Sequence, residues 1–87
     1  MLSKWIVVRN SVGLHARPVS RLAAAAADYK SDIRIRHREY TVDAKNSARI
    51  LALGVNTGEL VELTVDGCDE AAAFEMISGI FNEINLE

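Results

Sequence analysis

A run that opens at Ala16 and closes on five consecutive alanines at 23–27 constrains the fold more than any other feature of the chain. Val19, Leu22, Ala23 and Ala26 recur at i, i+3, i+4 and i+7, the spacing of one helical face, while Ser20 and Arg21 point elsewhere. The spacing predicts a helix over about 16–27. Small side chains on that face let the helix lie close against a sheet. Upstream, Trp5, Ile6, Val7 and Val8 stand in a β-forming stretch, 2–9, which predicts the first strand. The chain therefore passes from strand to helix through Asn10, Ser11, Val12, Gly13, Leu14 and His15, and both elements hold that junction.

The remaining elements follow from periodicity and punctuation. Ile33 and Ile35 alternate with arginines in a second strand, and Tyr40, Thr41 and Val42 make a short third one after a turn near Arg38 and Glu39. Arg34, Arg36 and Arg38 read as a solvated outer face with no assigned role, and His37 as a strand residue rather than a ligand. Asn46 is a good N-cap and Gly54 suits a left-handed C-terminal position, which brackets a short helix over 47–53. At 100° per residue, Ile50 and Leu53 lie about 60° apart, with Ala48 and Leu51 on another side. One sector packs inward. Val61, Leu63 and Val65 alternate with Glu62 and Thr64 in a half-buried strand over 60–66 that ends in an Asp66-Gly67 turn. Asp69 is expected to cap a last helix whose apolar face is Ala73, Phe74, Ile77, Ile80, Phe81 and Ile84. The order is βαββαβα, an α+β pattern in which split βαβ units give a four-stranded antiparallel sheet with helices packed on one face.

Eighty-seven residues are expected to form one domain, 1–87, with room for a two-layer core but not for an enclosed pocket with its own lid. That favours a carrier over an autonomous enzyme. A formal charge of −2 provides no global basic field, so nucleic acid is not an expected partner. Cys68 is the sole cysteine and the two histidines lie far apart, so no disulfide framework, metal-ligand cluster or bound cofactor is expected. The start lacks a signal-peptide pattern and no run approaches the ~18 apolar residues of a membrane span. A cytoplasmic protein without membrane insertion is the expectation.

His15 falls at the predicted helix start. The first N–H groups of a helix have no internal partners and carry about half a positive charge, which makes such a start a cradle for phosphate. Arg17, in the first turn, can curl back and offer a planar fork of donors to phosphate oxygens. Pro18, the only proline, costs little where the first-turn N–H groups lack acceptors. The backbone amides of Ala16 and Arg17 then remain as donors. A positive helix end disfavours a second positive charge on the ring, and only neutral imidazole is a nucleophile. These residues together suit a phosphoryl group.

Gly13-Leu-His-Ala-Arg-Pro18 resembles the active-site motif of HPr, the histidine-containing phosphocarrier family of the bacterial phosphoenolpyruvate:sugar phosphotransferase system. Chain length, motif position, the following helix, Asp43-Ala-Lys-Asn-Ser-Ala-Arg-Ile-Leu-Ala-Leu-Gly54 and the C-terminal helix extend the likeness over nearly the whole chain. The resemblance implies an open-faced β-sandwich in which His15 accepts a phosphoryl group on Nδ1 from enzyme I, charged by phosphoenolpyruvate, and hands it to sugar-specific IIA proteins. It also implies a small docking patch on the second helix, beside the His15 helix start, formed by Ser47, Ala48 and Leu51 together with Ser20.

Two departures bear on regulation. Where many family members carry a serine that a regulatory kinase phosphorylates, this chain has Asn46, so either Ser47 serves with a one-residue shift or that branch is absent. Arg49 stands where glycine is frequent and adds bulk and charge to the docking side. A purely regulatory HPr-like paralogue that docks to regulatory proteins, in a carbon or nitrogen branch, is the alternative function; such paralogues can lack the histidine that this chain keeps. An amino-acid-binding regulatory domain would share the element order but would not require His-x-Arg-Pro at a helix start.

Overall fold

The computed structural model describes residues 1–86; Glu87, the last residue of the expected domain, lies outside them. Seven elements run β1 (Leu2–Val7), α1 (Ala16–Ala27), β2 (Asp32–His37), β3 (Tyr40–Asp43), α2 (Ser47–Ala52), β4 (Leu60–Asp66) and α3 (Glu70–Asn85). The order is the expected βαββαβα. The four strands form one sheet in the order β1-β4-β2-β3, with every neighbouring pair antiparallel.

Period-two alternation explains why the helices share one face. Ile6 stands opposite Val61, Ile33 opposite Val65, and Ile35 between Leu63 and Val42, so these side chains form an apolar inner surface. Against it pack Val19, Leu22 and Ala26 of α1, Ile50 of α2 and Ala73, Ile77, Phe81 and Ile84 of α3, all buried. Each large side chain so buried contributes about 1.5–3 kcal/mol. The other face stays open. Across it Trp5, Glu62, Arg36 and Thr41 form one row over all four strands. There the Arg36 guanidinium lies 5.1 Å from the Trp5 ring centroid and 3.1 Å from a Glu62 oxygen. The result is an open-faced β-sandwich. Among the described residues no helix is long and apolar enough to cross a membrane.

Four local expectations need correction. The first strand stops at Val7, because Val8 and Arg9 bond outside the sheet ladder: Val8 exchanges bonds with Glu59 and Gly58, and the Arg9 amide donates to Asn85 Oδ1 at 2.8 Å. The short helix ends at Ala52 with Leu53 as its C-cap, one residue early, and Gly54 follows at φ +65°. Arg38 lies in the β2–β3 turn at φ +59° rather than along the strand face. Asp69 occupies the N-cap of α3, yet its carboxylate does not bond that helix. It accepts instead from the Lys30 amide at 2.8 Å, the Ser31 amide at 2.9 Å and the Ser31 hydroxyl. This bond from Ser31, followed by that from Lys30, holds the Asp69 carboxyl below its ordinary range. The residue thus staples the segment before β2 to the head of α3.

Candidate functional site

The N-terminus of α1 is built where β1, α3 and the loop before β4 converge. Asn85, the last residue of α3, brackets the departing strand: its Oδ1 accepts from the Arg9 amide, and its Nδ2 donates to the Val7 carbonyl at 3.0 Å. Buried Asn10 then curls the chain by donating from Nδ2 to the Gly13 carbonyl at 2.8 Å. Gly13 adopts φ +77°, and a Cβ there would meet the Val55 carbonyl oxygen at 2.5 Å. Only glycine fits so close a backbone approach at that angle. The next amide, Leu14, donates to the same Val55 oxygen at 3.0 Å, and the Leu14 side chain is buried. Farther along this loop the Thr57 hydroxyl donates to the Asn10 carbonyl at 2.6 Å, and the Gly58 amide to the Val8 carbonyl. The strand-to-helix junction is therefore clamped along most of its length.

His15 emerges from that clamp at the N-cap of α1, with extended backbone at φ −104° and ψ −177°. Its carbonyl accepts the first helical bond, from Val19 at 3.1 Å, while its half-buried ring makes no capping bond. The imidazole is left free to react. Ala16 and Arg17 follow as the first two helical residues, and no acceptor among the described residues takes up their amides. Pro18, third in the helix, is buried and has no N–H to leave unpaired. Arg17 is exposed and in no ion pair among the described residues, in contrast to Arg21 one turn on, which pairs with Glu83. A ring with free nitrogens, two unpaired amides, a positive helix end and an uncommitted guanidinium thus share one first turn. Such a set favours a group with several negative oxygens bonded to the ring.

Helix α2 packs beside α1. Asn46 caps it, its side chain accepting from the Arg49 amide at 3.2 Å, as the sequence suggested. Ile50 is fully buried and Leu53 packs against the core, whereas Ser47, Ala48 and Arg49 are exposed and Leu51 is 46% exposed. Ser20 is exposed on α1 as well. Leu51 therefore stands out as a large apolar side chain in water beside the His15 helix. A surface groove of about 440 Å³ between Tyr29 and the α3 residues from Ala72 to Glu83 includes neither His15 nor Arg17. No group of three or more metal-ligating side chains occurs among the described residues.

Asn10, Val55, Thr57 and Asn85 hold the site without having been singled out by sequence reasoning. One signal was available, since Gly54 and Gly58 bracket three residues between α2 and β4 and mark a tight return loop.

Comparison with known proteins agrees with this geometry. A family profile described as "PTS HPr component phosphorylation site" matches residues 2–83. The phosphocarrier protein HPr of Lysinibacillus sphaericus is 33% identical over 86 residues, covering 99% of this chain and 98% of that protein. The phosphocarrier protein HPr of Treponema pallidum (strain Nichols) is 35% identical over 81 residues, covering 93% and 92%. The crystal structure of HPr-C-His from Thermoanaerobacter tengcongensis superposes at a TM-score of 0.92 with 31% identity, over 100% of this chain and 98% of that one. With the profile spanning nearly every residue and the same open-faced sandwich in its structural relatives, the chain belongs to the HPr family of phosphocarriers of the phosphotransferase system.

Proposed function

We propose that this chain accepts a phosphoryl group on His15 Nδ1 from phospho-enzyme I and passes it to sugar-specific IIA proteins. The observation that carries the reading is the first turn of α1, where the uncapped His15 ring lies beside the free amides of Ala16 and Arg17 and the unpaired Arg17 guanidinium. In the charging step the Nδ1 lone pair attacks phosphorus, the new N–P bond forms, and the group of enzyme I that carried the phosphoryl departs with the electrons of the broken bond. The reverse attack by a IIA nucleophile discharges the carrier. Arg17 and the two amides meet phosphoryl oxygens whose charge they offset, both during transfer and in the resting phospho-form. The bond energy is carried and not dissipated. A free amide pair holds the group without committing a metal or nucleotide to it, and the phosphoryl source, phosphoenolpyruvate, puts the relay in the cytosol.

Both partners must reach one histidine, so they dock in turn on Ser20, Ser47, Ala48 and Leu51. A modest apolar patch suits contacts that are made and broken quickly. The intact, accessible His15 favours this carrier role over a paralogue that acts by docking alone. Ser47 is the candidate acceptor for a regulatory serine kinase, its hydroxyl being exposed at the first position of α2 while Asn46 does the capping. Kinase labelling that survives Ser47→Ala would take Ser47 out of that role. The transfer itself is tested by incubation with enzyme I and phosphoenolpyruvate followed by intact mass. One acid-labile phosphoryl group is expected, only with enzyme I present; label retained by His15→Ala would overturn the assignment.

A further inference from the structure

The second histidine lies beneath the loop that grips the first. Loop 54–59 joins α2 to β4, and its middle holds the His15 junction through the Val55 carbonyl, the Thr57 hydroxyl and the Gly58 amide. His37, the last residue of β2, is only 6% exposed, and its ring touches Leu53 just before that loop and Glu59 at its end. Nδ1 lies 3.2 Å from the Leu53 carbonyl oxygen. A carbonyl only accepts, so the ring must carry its hydrogen on Nδ1 to make this bond. Nε2 lies 3.2 Å from Glu59 Oε1, with no surface of its own and no well-aligned hydrogen bond. The same Oε1 accepts from the Asn56 amide at 2.8 Å, inside the loop, and Oε2 accepts from Arg38 Nη2 at 2.7 Å.

His37 at the end of β2 and Arg38 in the turn that follows therefore meet one carboxylate, the first by packing against it and the second by donating to it. Arg38 does so from φ +59°, a conformation that a non-glycine side chain keeps only where its surroundings impose it. The Glu59 carboxyl is held below its ordinary range by the Asn56 amide first, then by the Arg38 bond. A buried polar ring at the end of an otherwise apolar inner strand face has a cost that Phe or Tyr would not incur. Here the ring bonds the carbonyl just before the loop and packs against the carboxylate at its end, so it bears on both ends of the span between.

We infer that His37 and Glu59 act as a positioning pair for the phosphoryl-accepting loop, holding loop 54–59 so that its carbonyl and hydroxyl groups keep Gly13, Leu14 and hence His15 in register. The inference rests on the carrier reading for its catalytic consequence, while its structural part stands apart from that reading. Neither residue touches the phosphoryl group. Their effect passes through Leu53, Asn56 and Val55 to the Leu14 amide.

The test uses His37→Phe, which keeps the ring volume and burial, and Glu59→Gln, which keeps the shape and removes the charge. Hydrogen exchange of the Leu14 amide is measured in each, together with enzyme I-dependent charging at a temperature well below melting. Both variants should speed Leu14 exchange about tenfold and lower kcat for charging about tenfold, with KM for enzyme I within about twofold, since a small misplacement of a reacting atom costs that much or more. His37→Gln, which retains an amide donor for one acceptor, should recover part of the kcat. Leu14 exchange equal to wild type in both variants would overturn the clamp. Faster exchange with unaltered kcat would overturn the positioning role. Should His37→Phe fail to fold, the partly exposed Glu59→Gln still decides the matter. A wild-type protein that takes no phosphoryl group would sink the carrier reading, and the exchange rates would judge the clamp independently.

Discussion

Replacing Gly13 by alanine probes the clamp two residues before His15. The residue sits at φ +77°, and the added Cβ would stand 2.5 Å from the Val55 carbonyl oxygen and 3.0 Å from the Asn56 Cα, both backbone atoms that cannot swing aside. The left-handed conformation alone costs a residue with a Cβ about 1–2 kcal/mol. To relieve the contact, Val55 must retreat and give up its bond from the Leu14 amide, a further 0.5–1.5 kcal/mol or about that. The sum, about 2–3 kcal/mol, corresponds to a fall in melting temperature of roughly 10–20 °C for a domain of this size. Gly54→Ala is the control: that residue shares the positive φ, at +65°, but nothing lies within 4 Å of its added Cβ. It should pay the conformational cost alone, about 4–8 °C per kcal/mol. Differential scanning calorimetry of both variants, with enzyme I-dependent charging below the transition, separates the two terms. Equal melting temperatures for the two variants, with charging of Gly13→Ala unimpaired, would refute the close approach between loop 54–59 and the His15 junction.

Three further outcomes follow from the site and its surroundings. Arg17→Ala should leave melting unchanged and slow charging by about 10- to 150-fold, the equivalent of a charge-assisted contact of about 1.5–3 kcal/mol made in the transition state; stopped-flow transfer rates equal to wild type would make Arg17 a mere solvated cation. Leu51→Asp places a charge on an exposed position, so stability should change by no more than about 0.5 kcal/mol, while KM rises for enzyme I and for a IIA protein alike; normal KM toward both would remove α2 from the docking surface. Asp69, whose folded pKa is depressed below its ordinary value, contributes stability that is fully present above that ordinary value and is lost as pH falls through the folded one. Melting followed from pH 6 down to about pH 2 should therefore show a steeper acid loss in wild type than in Asp69→Asn; identical slopes would mean that its bonds from Ser31 and Lys30 do not form in solution.

What sequence alone could reveal was whatever repeats or punctuates locally. The α1 boundaries matched the expected 16–27 because a strong helical period begins just after His15 and ends where the alanines stop. Asn46 as cap was legible for the same reason, and so was the division of α2 into two sectors, of which the one with Ile50 proves to be buried. His15, Arg17 and Pro18 announced themselves by type and spacing at that helix start. Asp69 misled, because its position before a helix predicts a cap while the Ser31 and Lys30 donors that capture it lie nearly forty residues away. The grip of Val55 on Leu14, of Thr57 on Asn10 and of Asn85 on β1 is likewise long-range, and contacts between distant segments leave no period in a chain. His37 read as an ordinary strand residue, which it is by backbone; its two polar neighbours come from the C-cap of α2 and from the residue before β4. Strand order was equally hidden, since nothing in the run of elements says that β4 inserts between β1 and β2.

The account turns on one atom, His15 Nδ1. Protein labelled with nitrogen-15 in its two histidines, charged by enzyme I and phosphoenolpyruvate, should show phosphorus–nitrogen coupling to Nδ1 of His15 alone, with the His37 ring signals still those of a buried, unmodified imidazole. Coupling to Nε2 of His15, or to either nitrogen of His37, would contradict the account at its centre.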